Sequence, residues 1–231
     1  MKAILFSSDF AILDATTELE RLVGKPAKDI NFVIINEGFI PEKGDDNSFF
    51  VDGMHFIKHH FGNFYLLNLQ AMPKEQILER IEKSDAFFCF GGTSGYLMKV
   101  LNESGLAEEL PALLKDRVWC GSSAGSMVFG YAPSKKLSKD LWGGTEFEDK
   151  KDWGVDKYME FAPVCILAHM YGGDLSADPH DFSVIKNSAT MSVPVYALSD
   201  WSAVVVDGDD IKCIGEHWTK CNNGVIVENQ K

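Results

Sequence analysis

Short apolar runs recur along this chain, and segments of helical spacing fill the intervals between them. Residues 3–6, 32–35, 64–69 and 86–90 are runs of buried-strand type. Between the first two, Asp14 is placed to cap a helix through Glu18, Leu19 and Leu22, stopped by Gly24 and Pro26. Residues 41–53 are polar, with Gly44, Asp45, Asp46 and Asn47, and are expected to form a loop ahead of a short helix over 54–60. Residues 73–81 have helical spacing, with Pro73 suited to a first turn. A helix carrying Leu97, Val100 and Leu101 and another over 107–114 precede a strand at 118–120. Residues 135–157 are charged and rich in Trp and Gly, and read as a long excursion or lid. Strands follow at 163–167 and 193–198, with Asp178 placed to cap a helix through Ile185. Residues 203–206 and 211–214 flank Asp207-Gly208-Asp209-Asp210 as a hairpin.

Strands alternating with helices predict an α/β fold: a three-layer α/β/α sandwich, its mostly parallel sheet covered on both faces, with a C-terminal β-hairpin. No repeat or low-complexity linker interrupts the pattern, so residues 1–231 are expected to form one domain. Composition narrows the class. With 45% hydrophobic residues, a chain of 231 residues can bury a full core. A net charge of -12 disfavours nucleic acid and anionic membrane as partners. No apolar run approaches the roughly 20 residues of a spanning helix. The first residues lack the apolar core of a signal peptide and read as a buried strand. The five cysteines have no metal or CxxC spacing, and Cys89, Cys120 and Cys165 sit inside apolar runs. Buried free thiols fit a reducing, cytoplasmic setting.

The candidate chemistry starts at Gly121-Ser122-Ser123-Ala124-Gly125-Ser126, directly after the 118–120 run. Strand, tight turn and helix in this order form a nucleophile elbow, with Ser123 at the apex. Its neighbours must be small, and Gly121 and Gly125 supply that room. The N–H of Ala124 would face a developing oxyanion. In parallel sheets sites gather beyond the carboxyl ends of strands, and three further ends carry suitable groups. Gly91-Gly92 ends one strand and is a candidate second half of the oxyanion hole, or a tight turn only. His169 follows the 163–167 run as a candidate base, with His180 as its rival. Asp200 ends the 193–198 run as the group that would orient the imidazole, with Asp174 and Asp178 competing.

The order Ser, His, acid differs from the Ser, acid, His order of α/β-hydrolases. With these four segments in register from about Ala86 to Gly215, the chain resembles the peptidase E family of serine peptidases. That family includes aspartyl dipeptidases and cyanophycinases, on a flavodoxin-like α/β architecture related to class I glutamine amidotransferase domains. The resemblance rests on Gly121-Ser122-Ser123-Ala124-Gly125-Ser126, Phe90-Gly91-Gly92-Thr93-Ser94, Ala168-His169-Met170 and Leu198-Ser199-Asp200-Trp201-Ser202-Ala203. It implies Ser123 as nucleophile, His169 as base, Asp200 as its orienter, and Gly92 and Ala124 as oxyanion donors. It implies acyl transfer on a small peptide or related amide without metal or organic cofactor. A homodimer is compatible with the chain.

Four departures stand out. Thr93-Ser94-Gly95 replaces the family's Gly-Asn-Thr continuation, Ala168 replaces a proline, Asp200 stands for a glutamate, and Trp201, for a small residue, is expected to narrow the pocket. The three arginines are Arg21, Arg80 and Arg117, and none is placed to clamp a substrate carboxylate. Lys135, Lys136 and Lys139 could serve as point charges or form a solvated face. A non-catalytic or regulatory member of the fold and a serine esterase remain the alternative functions.

Overall fold

The computed structural model describes residues 1–8, 15–42, 48–170 and 182–230. In chain order, β1 (Lys2–Phe6), α1 (Ala15–Val23), β2 (Phe32–Ile35), α2 (Ser48–His60) and β3 (Phe64–Leu66) come first. Next are α3 (Lys74–Glu82), β4 (Ala86–Cys89), α4 (Ser94–Glu103), α5 (Leu106–Leu113), β5 (Val118–Ser122) and α6 (Ala124–Met127). Then follow α7 (Lys135–Trp142), α8 (Thr145–Asp152), β6 (Cys165–Leu167) and α9 (Phe182–Asn187). Five strands close the chain: β7 (Val195–Leu198), β8 (Ser202–Asp207), β9 (Asp210–Gly215), β10 (Trp218–Asn222) and β11 (Val225–Gln230).

A seven-stranded sheet has the order β3-β2-β4-β5-β1-β8-β9. Its first five strands are parallel, β8 adds antiparallel to β1, and β9 antiparallel to β8. The apolar runs have a direct cause: successive strand residues face opposite layers, and both layers are buried. On β1, Ala3 and Leu5 enter one hydrophobic cluster while Ile4 and Phe6 enter the other. Helix α1 adds Ala15, Leu19 and Leu22, one buried stripe at helical spacing. Asp207 pairs with Asp210 across the turn of the expected hairpin, where Gly208 takes φ +65°.

A second, four-stranded sheet has the order β11-β10-β7-β6, with β6 and β7 parallel and the last two strands antiparallel. β10 and β11 lie beyond the last strand that the residue pattern predicts. The strand expected over 64–69 stops at Leu66, because past the Leu67 N–H bond to Ile34 the chain turns, with the Asn68 carbonyl accepting from the Ala71 and Met72 N–H groups. Two further expectations need correction. The helix placed at 54–60 begins at Ser48, where Phe49 and Phe50 pack against the core, so 48–53 are helix rather than the expected loop. Its polar centre at 43–47, and the caps assigned to Asp14 and Asp178, lie outside the described residues.

The excursion at 135–157 is not a loop. The Ser134 hydroxyl accepts a hydrogen bond from the Leu137 N–H at 3.2 Å and starts α7, and Gly143 in the left-handed region ends it. Helix α8 then braces the start of α4. Asp149 accepts from the Gly95 N–H at 2.7 Å and from the Trp153 indole at 3.0 Å. The Ser94 hydroxyl donates to Glu146 at 2.6 Å and accepts from Tyr158 at 2.8 Å. Burial raises the carboxyl pKa of Asp149, and pushes that of Glu146 to about 7. Among the described residues no helix is long and apolar enough to cross a membrane.

The Glu146 carboxyl sets a pH dependence of stability. The folded chain keeps its proton up to about pH 7, while an unfolded glutamate loses it near 4.5. The folded state therefore binds more protons between these values, and this residue's contribution falls as pH rises through that window. Glu146→Gln should flatten that slope and raise stability at pH 8 by about 1–2 kcal/mol, read from urea unfolding at pH 5 and pH 8.

Candidate active site

Ser123 stands where β5 passes into α6, and the turn puts it at φ 49°, ψ -116°. A serine held there costs backbone strain of about 1–3 kcal/mol, so the surroundings must fix it. They do so through backbone. The Ser123 N–H donates to the carbonyls of Phe6 and Ser7, each at 3.1 Å. The Ser126 hydroxyl reaches the Gly121 and Phe6 carbonyls at 2.5 and 2.7 Å. A Cβ on Gly125 would lie 2.1 Å from the Cys89 carbonyl oxygen, and one on Gly121 would lie 2.3 Å from the oxygen of Gly125. Only glycine lets β4, β5 and α6 approach this closely.

The Ser123 Oγ lies 2.9 Å from His169 Nε2, and His169 Nδ1 lies 2.6 Å from Asp200 Oδ1. A carboxylate at that distance assigns the ring proton to Nδ1, so Nε2 is free to accept from the Ser123 hydroxyl. The His169 hydrogen bond holds the Asp200 carboxyl below its usual range, against the opposing effect of burial. His169 takes φ 59° just after β6, and Asp200 follows β7, so parallel neighbours β6 and β7 deliver the two groups side by side. His180, Asp174 and Asp178 lie outside the described residues.

Gly91 and Gly92 follow β4, the parallel neighbour of β5. Gly91 packs against Ser123, where an added Cβ would be 2.9 Å from that of the serine. Gly92, at φ +103°, lies against the Gly38 carbonyl. The N–H groups of Gly92 and Ala124 donate to no described protein group. A cavity of about 320 Å³ opens beside Ser123 and His169, lined also by Phe39, Glu42, Phe49, Gly91 and Gly92. A larger recess of about 650 Å³, between Met98, Asn102, Glu108 and Tyr158, has no serine or histidine on its lining.

Several residues escaped the sequence reading. Ser7, fully buried after β1, accepts from the His169 N–H at 2.7 Å and lies 3.3 Å from both Asp200 Oδ1 and the Leu198 carbonyl. Its single proton serves one of those two acceptors at a time. Phe39, Glu42 and Phe49 come from the turn after β2 and the start of α2. The rule that sites gather beyond strand ends, applied also to β1 and β2, points to both regions. Trp201 does not line the cavity: it is 57% exposed, its backbone carbonyl bonded to the Glu216 N–H, which corrects the expected narrowing.

The arginines are engaged elsewhere. Arg21 pairs with Glu18 and Asp207, Arg80 reaches the Leu66 carbonyl, and Arg117 donates to the carbonyls of Ile81 and Ser84. Lys135 sits over the Phe147 ring and Lys136 pairs with Asp140, both on or against α7, and no described lysine lines the cavity. Among the described residues no group of three or more His, Cys, Asp or Glu side chains could hold a metal.

The sequence model of Peptidase family S51 matches residues 15–214. Among solved structures, a candidate peptidase E protein of Listeria monocytogenes EGD-e aligns with a TM-score of 0.70 at 16% identity, over 93% of this chain and 98% of its own. A peptidase from an acI-B1 Actinobacterium aligns with a TM-score of 0.65 at 16% identity, over 99% of this chain and 92% of its own. At these identities the structural likeness is one of fold. No curated protein matches the sequence.

Ser7 generates a direct test of the geometry. Ser7→Ala removes the acceptor of the His169 N–H and a donor to Asp200. It should cost about 1–2 kcal/mol of stability and raise the Asp200 pKa, followed by NMR of the side-chain carboxyl.

Proposed function

The chain belongs to peptidase family S51, and we propose that it is a serine-type peptidase that hydrolyses a small peptide or related amide through Ser123, His169 and Asp200. The observation that carries this reading is the unbroken hydrogen-bonded line from the Ser123 Oγ through His169 to Asp200, at 2.9 and 2.6 Å, beside a cavity. A buried structural serine would not need an exposed imidazole, a strained backbone and open space together. Peptidase membership already makes the protein a hydrolase; the residue roles and the substrate are the proposal.

The mechanism follows from proton positions. The Ser123 Oγ attacks the scissile carbonyl carbon as its proton passes to His169 Nε2. Asp200, an anion well below neutral pH, holds Nδ1–H and stabilises the imidazolium that forms. The carbonyl electron pair moves onto oxygen, where the unengaged N–H groups of Gly92 and Ala124 are suited to receive it, with Gly91 leaving the approach clear. Collapse of this intermediate breaks the C–N bond. The leaving amine takes the proton from His169, and an acyl ester remains on Ser123. Water then repeats the sequence, giving its proton to His169 and freeing the acid. No step requires a metal or organic cofactor. Residues 1–231 acting as one unit, in a cytoplasmic setting, complete the proposal.

The test is chemical. Ser123 should be labelled by a fluorophosphonate probe, and His169→Ala should slow labelling at least a hundredfold. Ser123→Ala should lose labelling and about a thousandfold or more of dipeptide hydrolysis, with an unchanged circular dichroism spectrum. Hydrolysis of esters without amides would favour the esterase alternative. Equal activity of Ser123→Ala and parent would sink the mechanism.

A further inference from the structure

The described wall of the cavity beside Ser123 carries one acidic side chain. Apart from His169, Glu42 is the ionisable residue of its described lining. One carboxylate oxygen is tied down, accepting from the Thr93 hydroxyl at 2.5 Å, and the Thr93 N–H is itself held by the Gly38 carbonyl at 2.9 Å. This anchors Glu42 to the same turn that carries Gly91 and Gly92. Its second oxygen has no cationic partner among the described residues. The rest of the wall is Phe39 and Phe49, their rings 6.5 Å apart at the centroids. Such rings pack on an aliphatic stem and attract a cation at their faces.

The surroundings reinforce the sign. Asp149 of α8, which holds the Gly95 N–H at the start of α4, has its carboxyl pKa raised by burial and, in addition, by the charge of Glu42. Among the described residues no arginine or lysine lines the cavity to offset Glu42, and all three arginines are bound elsewhere. A substrate carboxylate placed here would meet like charge at close range, which penalises binding.

We propose that Glu42 is a specificity-determining residue, and that the substrate presents an organic cation to it, from a residue flanking the scissile bond. This deepens the peptidase reading and rests on it, because the cavity matters only if Ser123 is where the bond is cut. The cation is either a lysine-type side chain or a free α-ammonium group; both offer N⁺–H donors to the unpaired oxygen of Glu42.

Binding to the Ser123→Ala protein separates this inference from catalysis. Four dipeptides are titrated by calorimetry: N-acetyl-Ala-Ala, Ala-Ala, N-acetyl-Lys-Ala and N-acetyl-Asp-Ala. Either Ala-Ala or N-acetyl-Lys-Ala should bind roughly tenfold or more tighter than N-acetyl-Ala-Ala, and which one does names the source of the cation. N-acetyl-Asp-Ala should bind most weakly. Adding Glu42→Gln should erase the preference, and Glu42→Lys should invert it toward N-acetyl-Asp-Ala, a reversal that a merely structural residue would not give. Equal binding of all four peptides, or a preference that survives Glu42→Gln, overturns the inference. Fluorophosphonate labelling of the parent reports on Ser123 independently: a labelled serine with no charge preference defeats only the role of Glu42, whereas an unlabelled serine beside a clear preference defeats the mechanism and reduces Glu42 to a residue that binds a cation.

Discussion

Close backbone approach at the elbow is the constraint on which the rest depends. Three chain segments meet there with no room for side chains: the end of β4, the end of β5 and the first turn of α6. Gly121 and Gly125 permit this contact, and the hydrogen bonds from Ser123 and Ser126 to the end of β1 lock it. The strained serine is then the cheapest way to pass from strand to helix within the available space. Its hydroxyl projects beyond the sheet because nothing beneath it can give way. A Cβ at Gly91 would press on Ser123 from the other side, so the β4 turn is part of the same fit.

The partners of Ser123 are held by different means. His169 and Asp200 follow neighbouring parallel strands of the second sheet, and β1 and β5 of the larger sheet carry Ser7 and Ser123. Ser7 bridges the two, through the backbone of His169 and the carboxylate of Asp200. A single buried hydroxyl thus sets the relative position of groups from two sheets, where its hydrogen bonds have little competition from water. The aromatic and acidic wall at Phe39, Glu42 and Phe49 is added from a third direction. Its attachment through Thr93 ties the cavity to the glycine turn, and α8 fixes that turn from behind by capping α4.

The legible parts of the sequence were those governed by local period and local chemistry. The runs at β1, β2, β4 and β5 are buried on both faces, so their apolar character is continuous. The elbow announces itself because its small residues are consecutive. The less legible parts depend on partners far along the chain. The residues 135–157 look like a solvated excursion because charged residues dominate them: α7 hides a short stripe of Leu137, Leu141 and Trp142 against β6 and α9, bounded by Ser134 and Gly143, whereas α8 has no apolar stripe and spends acidic residues on α4. The start of α2 was obscured by the polar stretch before it, and its phenylalanines become intelligible only against Phe90 and Phe39.

By itself the sequence determined the alternating α/β architecture, the place of the small-residue turn around Ser123, and the small number of arginines. Those follow from residue type, spacing and order. Only the tertiary structure decided that Ser123, His169 and Asp200 stand in hydrogen-bonded line, that Ser7 bridges two of them, and that Glu42 faces the same cavity. Hydrogen bonds act over about 3 Å, and the residues joined by these are separated by 31 to 193 positions. Such distances exist only after strand pairing has brought the ends together, so no local pattern can carry them.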